Sequence, residues 1–266
     1  MLIKLKGLFP TKFKTYFKKY KKYNAYHNLD KKLLKYINYK NGFYIDCGAN
    51  DGVNQSTTWY FEKYLNWHGI LIEPVPEVYN ELKNNRSNNN YFYNYALISK
   101  KYNREDINFT FNNKDSLKAK NTLSTNPLKR NEKIITVKCV TLENILNNIK
   151  TPQLIDLFSL DVEGYEFEVL QGINFNSIKF KYILVETEFP EKMNNFLTKK
   201  GYSFIERLSN YNFLKKPEYG DYLYKSFWTA RSKDKEDSKC KCLQRSFNEE
   251  FQNVSIYDSN LLKDVQ

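Results

Sequence analysis

The chain is poor in glycine, cysteine and histidine: nine, four and two among 266 residues. Four cysteines imply no disulfide framework, so a reducing compartment is the default. Cys240 and Cys242 form a lone Cys-Lys-Cys without the second pair or the histidines that zinc requires. Cys47 and Cys139 lie in apolar strand patterns and read as small core residues. No apolar run is long enough to span a bilayer, and the N-terminus lacks an uninterrupted apolar segment of the secretory kind. The expected location is the cytoplasm. Gly-x-Ser-x-Gly is missing, which argues against a Ser/His/Asp hydrolase. No internal repeat is present.

Basic charge is plentiful but local. Of a net charge of +12, residues 1–40 contribute twelve lysines against Asp30 alone, leaving the rest of the chain almost neutral. In this arm Leu2, Leu5, Phe9, Phe13, Tyr16, Tyr20 and Tyr23 recur at helical spacing, with Pro10 in a first turn. Asn28 reads as the cap of a second short helix carrying Leu29, Leu33, Leu34 and Ile37. Two readings stand: helices covering one flank of the domain, or a basic amphipathic arm touching an anionic membrane surface or an acidic acceptor. No nucleic-acid partner is expected, because nothing else resembles a module that reads RNA or DNA.

The organising stretch is Phe43-Tyr44-Ile45-Asp46-Cys47-Gly48-Ala49-Asn50-Asp51-Gly52. An apolar strand ends on an acid and opens into a glycine loop. A helix follows, with Ser56 as its cap, and then a strand, Gly69 to Ile72, that ends on Glu73. Strand, loop, helix, strand, acid is the layout of a nucleoside-binding βαβ unit. A dinucleotide loop wants three glycines around a pyrophosphate, whereas here one tight glycine turn is flanked by Asp46 and Asp51. Those carboxylates would repel a pyrophosphate. They would suit S-adenosylmethionine, which has no phosphate and carries ammonium and sulfonium cations.

Further strands are expected over Tyr91–Ser99, Ile134–Val140, Leu154–Leu160, Lys181–Thr187, Tyr202–Arg207 and Tyr222–Ala230, with a short piece at Ile107–Phe111 in a polar loop spanning 100–133. Helices start at Pro76, at Thr141 as cap, after Gly164, and at Pro190, the last closed by Gly201. The alternation predicts an α/β domain with a mostly parallel sheet over 41–230, after the arm at 1–40 and before a polar tail at 231–266. Asp46, Glu73, Asp161 and Glu186 all fall at carboxyl ends of strands, where ligands of open α/β sheets bind. His68 is placed at the opposite end of the sheet, and His27 at the surface of the arm.

Several of these segments together resemble the FkbM-type methyltransferases. They are Gly48-Ala49-Asn50-Asp51-Gly52, the run from Phe61 through Trp67-His68-Gly69 to Glu73-Pro74, Asn85-Arg86, and Ser159-Leu160-Asp161-Val162-Glu163-Gly164-Tyr165-Glu166. The resemblance covers about residues 41–230. It implies a class I, Rossmann-like fold with a seven-stranded sheet and helices on both faces, and S-adenosylmethionine-dependent O-methylation of a sugar or other hydroxyl. Many members have Lys-Ile before the Asp-Val-Glu-Gly acids; this chain has Ser159-Leu160, which removes a candidate orienting lysine. Asp46, Gly48, Ala49, Asn50 and Asp51 are expected at the donor's methionine part and Glu73 at its ribose, with Ala96 as a further donor contact. Asp161 borders the methionine end. Asp161, Glu163 and Glu186 are the expected base that deprotonates the acceptor, or the ligands of a divalent metal if one takes part. The alternative is a non-catalytic binding module of the same fold working through its basic arm. A nucleotide-sugar or NAD enzyme is disfavoured by the acid-flanked turn.

Overall fold

The computed structural model describes residues 22–112, 115–118, 132–211 and 216–227, with backbone alone over the strand residues between 110 and 133. The helix expected from Pro10, the tail at 231–266 with Cys240 and Cys242, and the strand end at 228–230 lie outside the described residues.

Two sheets are present. The larger has seven strands, built around β1 (Phe43–Cys47). On one side of β1 lie β2 (His68–Ile72) and β3 (Tyr91–Tyr93). A two-residue strand, β4 (Ala96–Leu97), and three others, β5 (Asp106–Asn112), β6 (Asp115–Lys118) and β7 (Glu132–Val140), make the second sheet in the order β4-β7-β5-β6. On the other side of β1 come β8 (Leu154–Leu160), β9 (Lys179–Thr187), β11 (Gly220–Ser226) and, at the edge, β10 (Tyr202–Arg207). Order along the large sheet is thus β3-β2-β1-β8-β9-β11-β10, with β11 antiparallel to both neighbours and every other pairing parallel. This is the mostly parallel, seven-stranded sheet expected from the sequence. The order reverses beside β1, between β2 and β8, and a switch point of this kind opens the crevice in which such sheets bind ligands.

Both faces of the sheet are covered, which is why β1, β8 and β9 read as continuous apolar runs. Phe43, Ile45 and Cys47 point to one face with Ile70, Ile72, Phe158, Leu160, Ile183 and Val185. Two helices cover that face: α4 (Leu142–Asn147), whose cap Thr141 accepts from the Asn144 amide at 3.2 Å, and α5 (Glu166–Gln171). Met193 and Leu197 of α6 (Pro190–Lys199) join the same cluster. On the opposite face Tyr44, Leu71, Leu157, Leu184 and Leu223 meet Phe61 of α2 (Trp59–Leu65) and Leu82 of α3 (Pro76–Asn85). Leu29 and Leu33 of the short helix α1 (Leu29–Leu33), with Ile37, are buried in this cluster too. Residues 22–40 therefore pack onto the sheet.

Local chemistry overrides several expectations. Asn28 precedes α1 but adopts a left-handed conformation without a capping bond; the amides of Asn24, Ala25 and Lys31 are bound instead by the buried Asp30 carboxylate. Ser56 is not the residue flanking α2, since Thr58 holds that place, yet Ser56 Oγ still accepts from the Trp59 amide at 3.1 Å. The single strand expected over Tyr91–Ser99 is two, because the Asn94 amide donates to the carbonyls of Glu73 and Pro74 at 2.8 and 2.9 Å and turns the chain between sheets. Part of the polar 100–133 loop is β5 and β6: β5 pairs antiparallel with β7, and β6 with β5. Among the described residues no helix is long and apolar enough to cross a membrane.

Candidate active site

Strand register places the acids in one row. Cys47 lies beside Ile72 of β2 and Leu160 of β8, and Leu160 beside Val185 of β9. One residue further on, Glu73, Gly48, Asp161 and Glu186 follow across four strands, and Asp221 of β11 pairs directly with Glu186. Side chains at matching register share a face of the sheet. Asp161, Glu186 and Asp221 of the row line a cleft of about 750 Å³ with Glu163, Tyr211 and Tyr219, and Gln55 and Thr57 of the β1–α2 loop form its near side; Gly48 and Glu73 do not line it.

The β1–α2 loop is held by its own atoms. Gly48 has φ +81°, and a methyl group there would lie 1.7 Å from the Asp161 carbonyl oxygen, so only glycine allows this approach. The amides of Gly48 and Ala49 both donate to the Ile72 carbonyl at 3.1 Å. Asn50, at φ +50°, donates its amide to Glu73 Oε2 at 3.1 Å, while Glu73 Oε1 accepts from Val75 at 2.9 Å. Burial, opposed by those two amides, pushes the Glu73 carboxyl up to about 7. Asp46 is buried and accepts from Thr58 Oγ1 at 2.6 Å; desolvation raises its carboxyl despite that bond and nearby Arg86. Asp51 turns away from the row, accepting from the amides of Val53 and Asn54 at 2.8 Å and capping its own loop. Ala96 is buried in the cluster of the second sheet with Phe109 and Val137.

At the other half of the cleft, Asp161 is open to water yet so hemmed in by protein that burial first, and the charges of Glu186 and Glu163 next, hold its carboxyl well above the usual range. Asp161 and Glu186 end adjacent strands and line the same cleft. Glu186 is gripped by two phenols: Tyr211 donates to Oε1 at 2.6 Å and Tyr219 to Oε2 at 2.8 Å. Glu163 and Gly164 have φ +54° and +98°, and a side chain at Gly164 would enter open space. That turn is shaped by buried Glu166, which accepts from the amides of Val162 and Gly164 at 3.2 and 2.9 Å. Burial raises Glu166 and Asp221 to about 7 as well. His68 begins β2, at the far end of the sheet. His27 is a correction: it is half-buried, edge-on to Tyr211.

Sequence reasoning gave no role to Arg86, named only within the resemblance, and passed over Arg207; the two arginines tie the site together. Buried Arg86 donates to Glu62 Oε2 (2.8 Å), the Gly52 carbonyl (3.1 Å), Ser56 Oγ (3.3 Å), Tyr44 Oη (2.7 Å) and Thr58 Oγ1 (3.2 Å). It fastens the β1–α2 loop to the end of α3. Burial works to raise the Glu62 carboxyl, but the Arg86 charge holds it below its usual value. Arg207 donates to the carbonyls of Ser209, Pro217 and Tyr219 at 2.8, 2.6 and 2.9 Å, fixing the segment that carries the phenols. A signal was available: the chain has six arginines among 42 basic residues, and arginine is retained where several donors must be held in one plane.

A model of the FkbM methyltransferase domain matches residues 46–205, well over half of the chain. The chain belongs to that family. Membership makes the FkbM domain a methyltransferase and implies S-adenosylmethionine as its donor. No curated protein matches the chain. Among solved structures it is similar to precorrin-6y C5,15-methyltransferase from Geobacter metallireducens GS-15, at 10% identity and a TM-score of 0.39, over 74% of this chain and 84% of that one. So weak a likeness carries no argument.

The FkbM domain fits a cationic donor. Its strand-end row is acidic, the carboxyls of Asp46, Glu73 and Asp161 are raised by burial, and open space lies over Gly164. A metal fits less well: among the described residues no group of three or more His, Cys, Asp or Glu side chains could hold one, Asp161, Glu163 and Glu186 included.

Proposed function

We propose that this FkbM methyltransferase transfers a methyl group to a hydroxyl of a carbohydrate, with Asp161 as proton acceptor and Glu186 as its partner. Bound S-adenosylmethionine supplies a methyl group already activated by its sulfonium. The acidic loop from Asp46 to Asn50 would hold the donor's methionine part and Glu73 its ribose. Asp161 reaches into the cleft beside Gly48, at the border between donor and acceptor. An aliphatic hydroxyl is a poor nucleophile until its proton leaves. A carboxyl held above its usual range is a stronger base, better matched to that proton near neutral pH. Glu186, fixed by Tyr211 and Tyr219, keeps Asp161 in that condition. The cleft itself pairs carboxylates, which accept from sugar hydroxyls, with tyrosine rings, which cover the apolar faces of a pyranose.

The observation that carries the reading is that Asp161 and Glu186, at the ends of adjacent strands, line this cleft together. Asp161→Asn is expected to bind S-adenosylhomocysteine as the parent does, by calorimetry, and to lose about 10²–10⁴-fold in labelled-methyl transfer to methyl glycosides. Full transfer by the variant would remove the assignment of the base.

A further inference from the structure

The cleft has a wall that the family match leaves out. Tyr26 and Leu29 precede residue 46, while Tyr211, Tyr219 and Asp221 follow residue 205. Ala25 bridges to Gln55, so the segment is strapped across the mouth of the β1–α2 loop. From there Tyr26 stacks on Tyr211 (centroids 5.9 Å apart, 26° between planes) and Tyr211 on Tyr219 (4.5 Å, 24°). Three rings make a ladder whose inner two rungs donate to Glu186. The outer rung, Tyr26, is 42% exposed. His27 is held at φ +49° with its ring edge-on to Tyr26 (4.4 Å) and to Tyr211 (4.9 Å), and its Nε2 is buried with no hydrogen-bond partner among the described residues.

We propose that residues 25–29 are the acceptor-selecting wall of this enzyme, with Tyr26 as the specificity-determining residue and His27 as a positioning residue behind it; this rests on the carbohydrate reading above. Tyr26 offers a rigid apolar face to a pyranose ring that enters beside Tyr211, and His27, edge-on to both tyrosine rings, holds them in place from behind. Neither residue belongs to the donor half of the site.

The chain has only two histidines, and the second sits at the other end of the sheet, so it is a built-in reference. Ring-nitrogen spectra of the ¹⁵N-labelled full chain, saturated with S-adenosylhomocysteine, would be titrated with methyl glucoside, mannoside and galactoside. At least one glycoside is expected to move the His27 signals saturably and leave those of His68 in place. Tyr26→Ala is expected to weaken that glycoside about fivefold or more, the worth of one lost ring face, with Tyr26→Phe unaffected. S-adenosylhomocysteine affinity stays at the parent value in both variants. A glycoside that binds, seen by saturation transfer to the sugar, without moving His27 overturns the wall and spares the carbohydrate reading. Binding by none of the three overturns both. Loss of both ligands together in Tyr26→Ala assigns the strap a purely structural part and overturns the proposal.

Discussion

At the scale of single residues, two side-chain choices control the donor half of the site without touching the chemistry. Gly48 is needed because its backbone abuts that of Asp161, so Gly48→Ala forces the two strand ends apart. S-adenosylhomocysteine binding is expected to vanish from calorimetry while the far-UV spectrum keeps its α/β form; parent affinity in that variant would refute the close approach. Arg86 is the second choice. Truncation leaves Glu62 buried without its partner and frees Gly52, Ser56 and Thr58 at once. Removing one member of a buried ion pair costs about 3–5 kcal/mol, and urea unfolding of Arg86→Ala is expected to show a loss of that order. Arg86→Lys recovers little, since one ammonium cannot reach five acceptors in a plane.

At the scale of elements, the strands were legible and the joints were not. Continuous apolar runs ending in acids disclosed β1, β8 and β9, because a strand buried on both faces has no other pattern available. The row of carboxylates followed from the same rule. What stayed hidden depended on side chains reaching across the sequence. Asn94 breaks one apparent strand into β3 and β4 by binding carbonyls some twenty positions earlier, and nothing in Tyr91–Ser99 advertises that. Tyr211 and Tyr219 reach Glu186 from a segment whose composition is generic. His27 looked like surface because its covering ring comes from the far end of the chain. Asn94 also supplies a test, for its amide tethers the turn that carries Glu73. Asn94→Ala should lower stability by about 1–2 kcal/mol, the worth of two neutral hydrogen bonds, and weaken S-adenosylhomocysteine by a similar factor. Thermal unfolding without change in donor affinity would show that the tether holds the sheet and not the site.

At the scale of the whole molecule, the fold gathers Glu73, Glu166 and Asp221 at one rim and raises each to about 7, chiefly by burial. Their ordinary values are 4.5, 4.5 and 3.8. Between those values and 7 the unfolded chain has released these protons and the folded one still holds them. Folding then binds protons, so stability must fall as pH rises through this window. Glu62, held below its usual value by Arg86, acts in the opposite sense but at more acid pH, where it protects the fold until it is protonated. The donor-free protein is therefore expected to melt at a lower temperature at about pH 8 than at about pH 5. Glu73→Gln should flatten that slope by removing one of these contributions. S-adenosylmethionine brings positive charge to the ionised rim, so its stabilising effect should grow toward the alkaline side. S-adenosylhomocysteine, which lacks the sulfonium, should show less of that growth. A melting temperature that is level or rising over the interval would mean that these acids ionise freely in the folded chain. The rim would then hold no excess of desolvated carboxyls for a cationic donor to relieve, and the electrostatic fit between site and donor would fail with it.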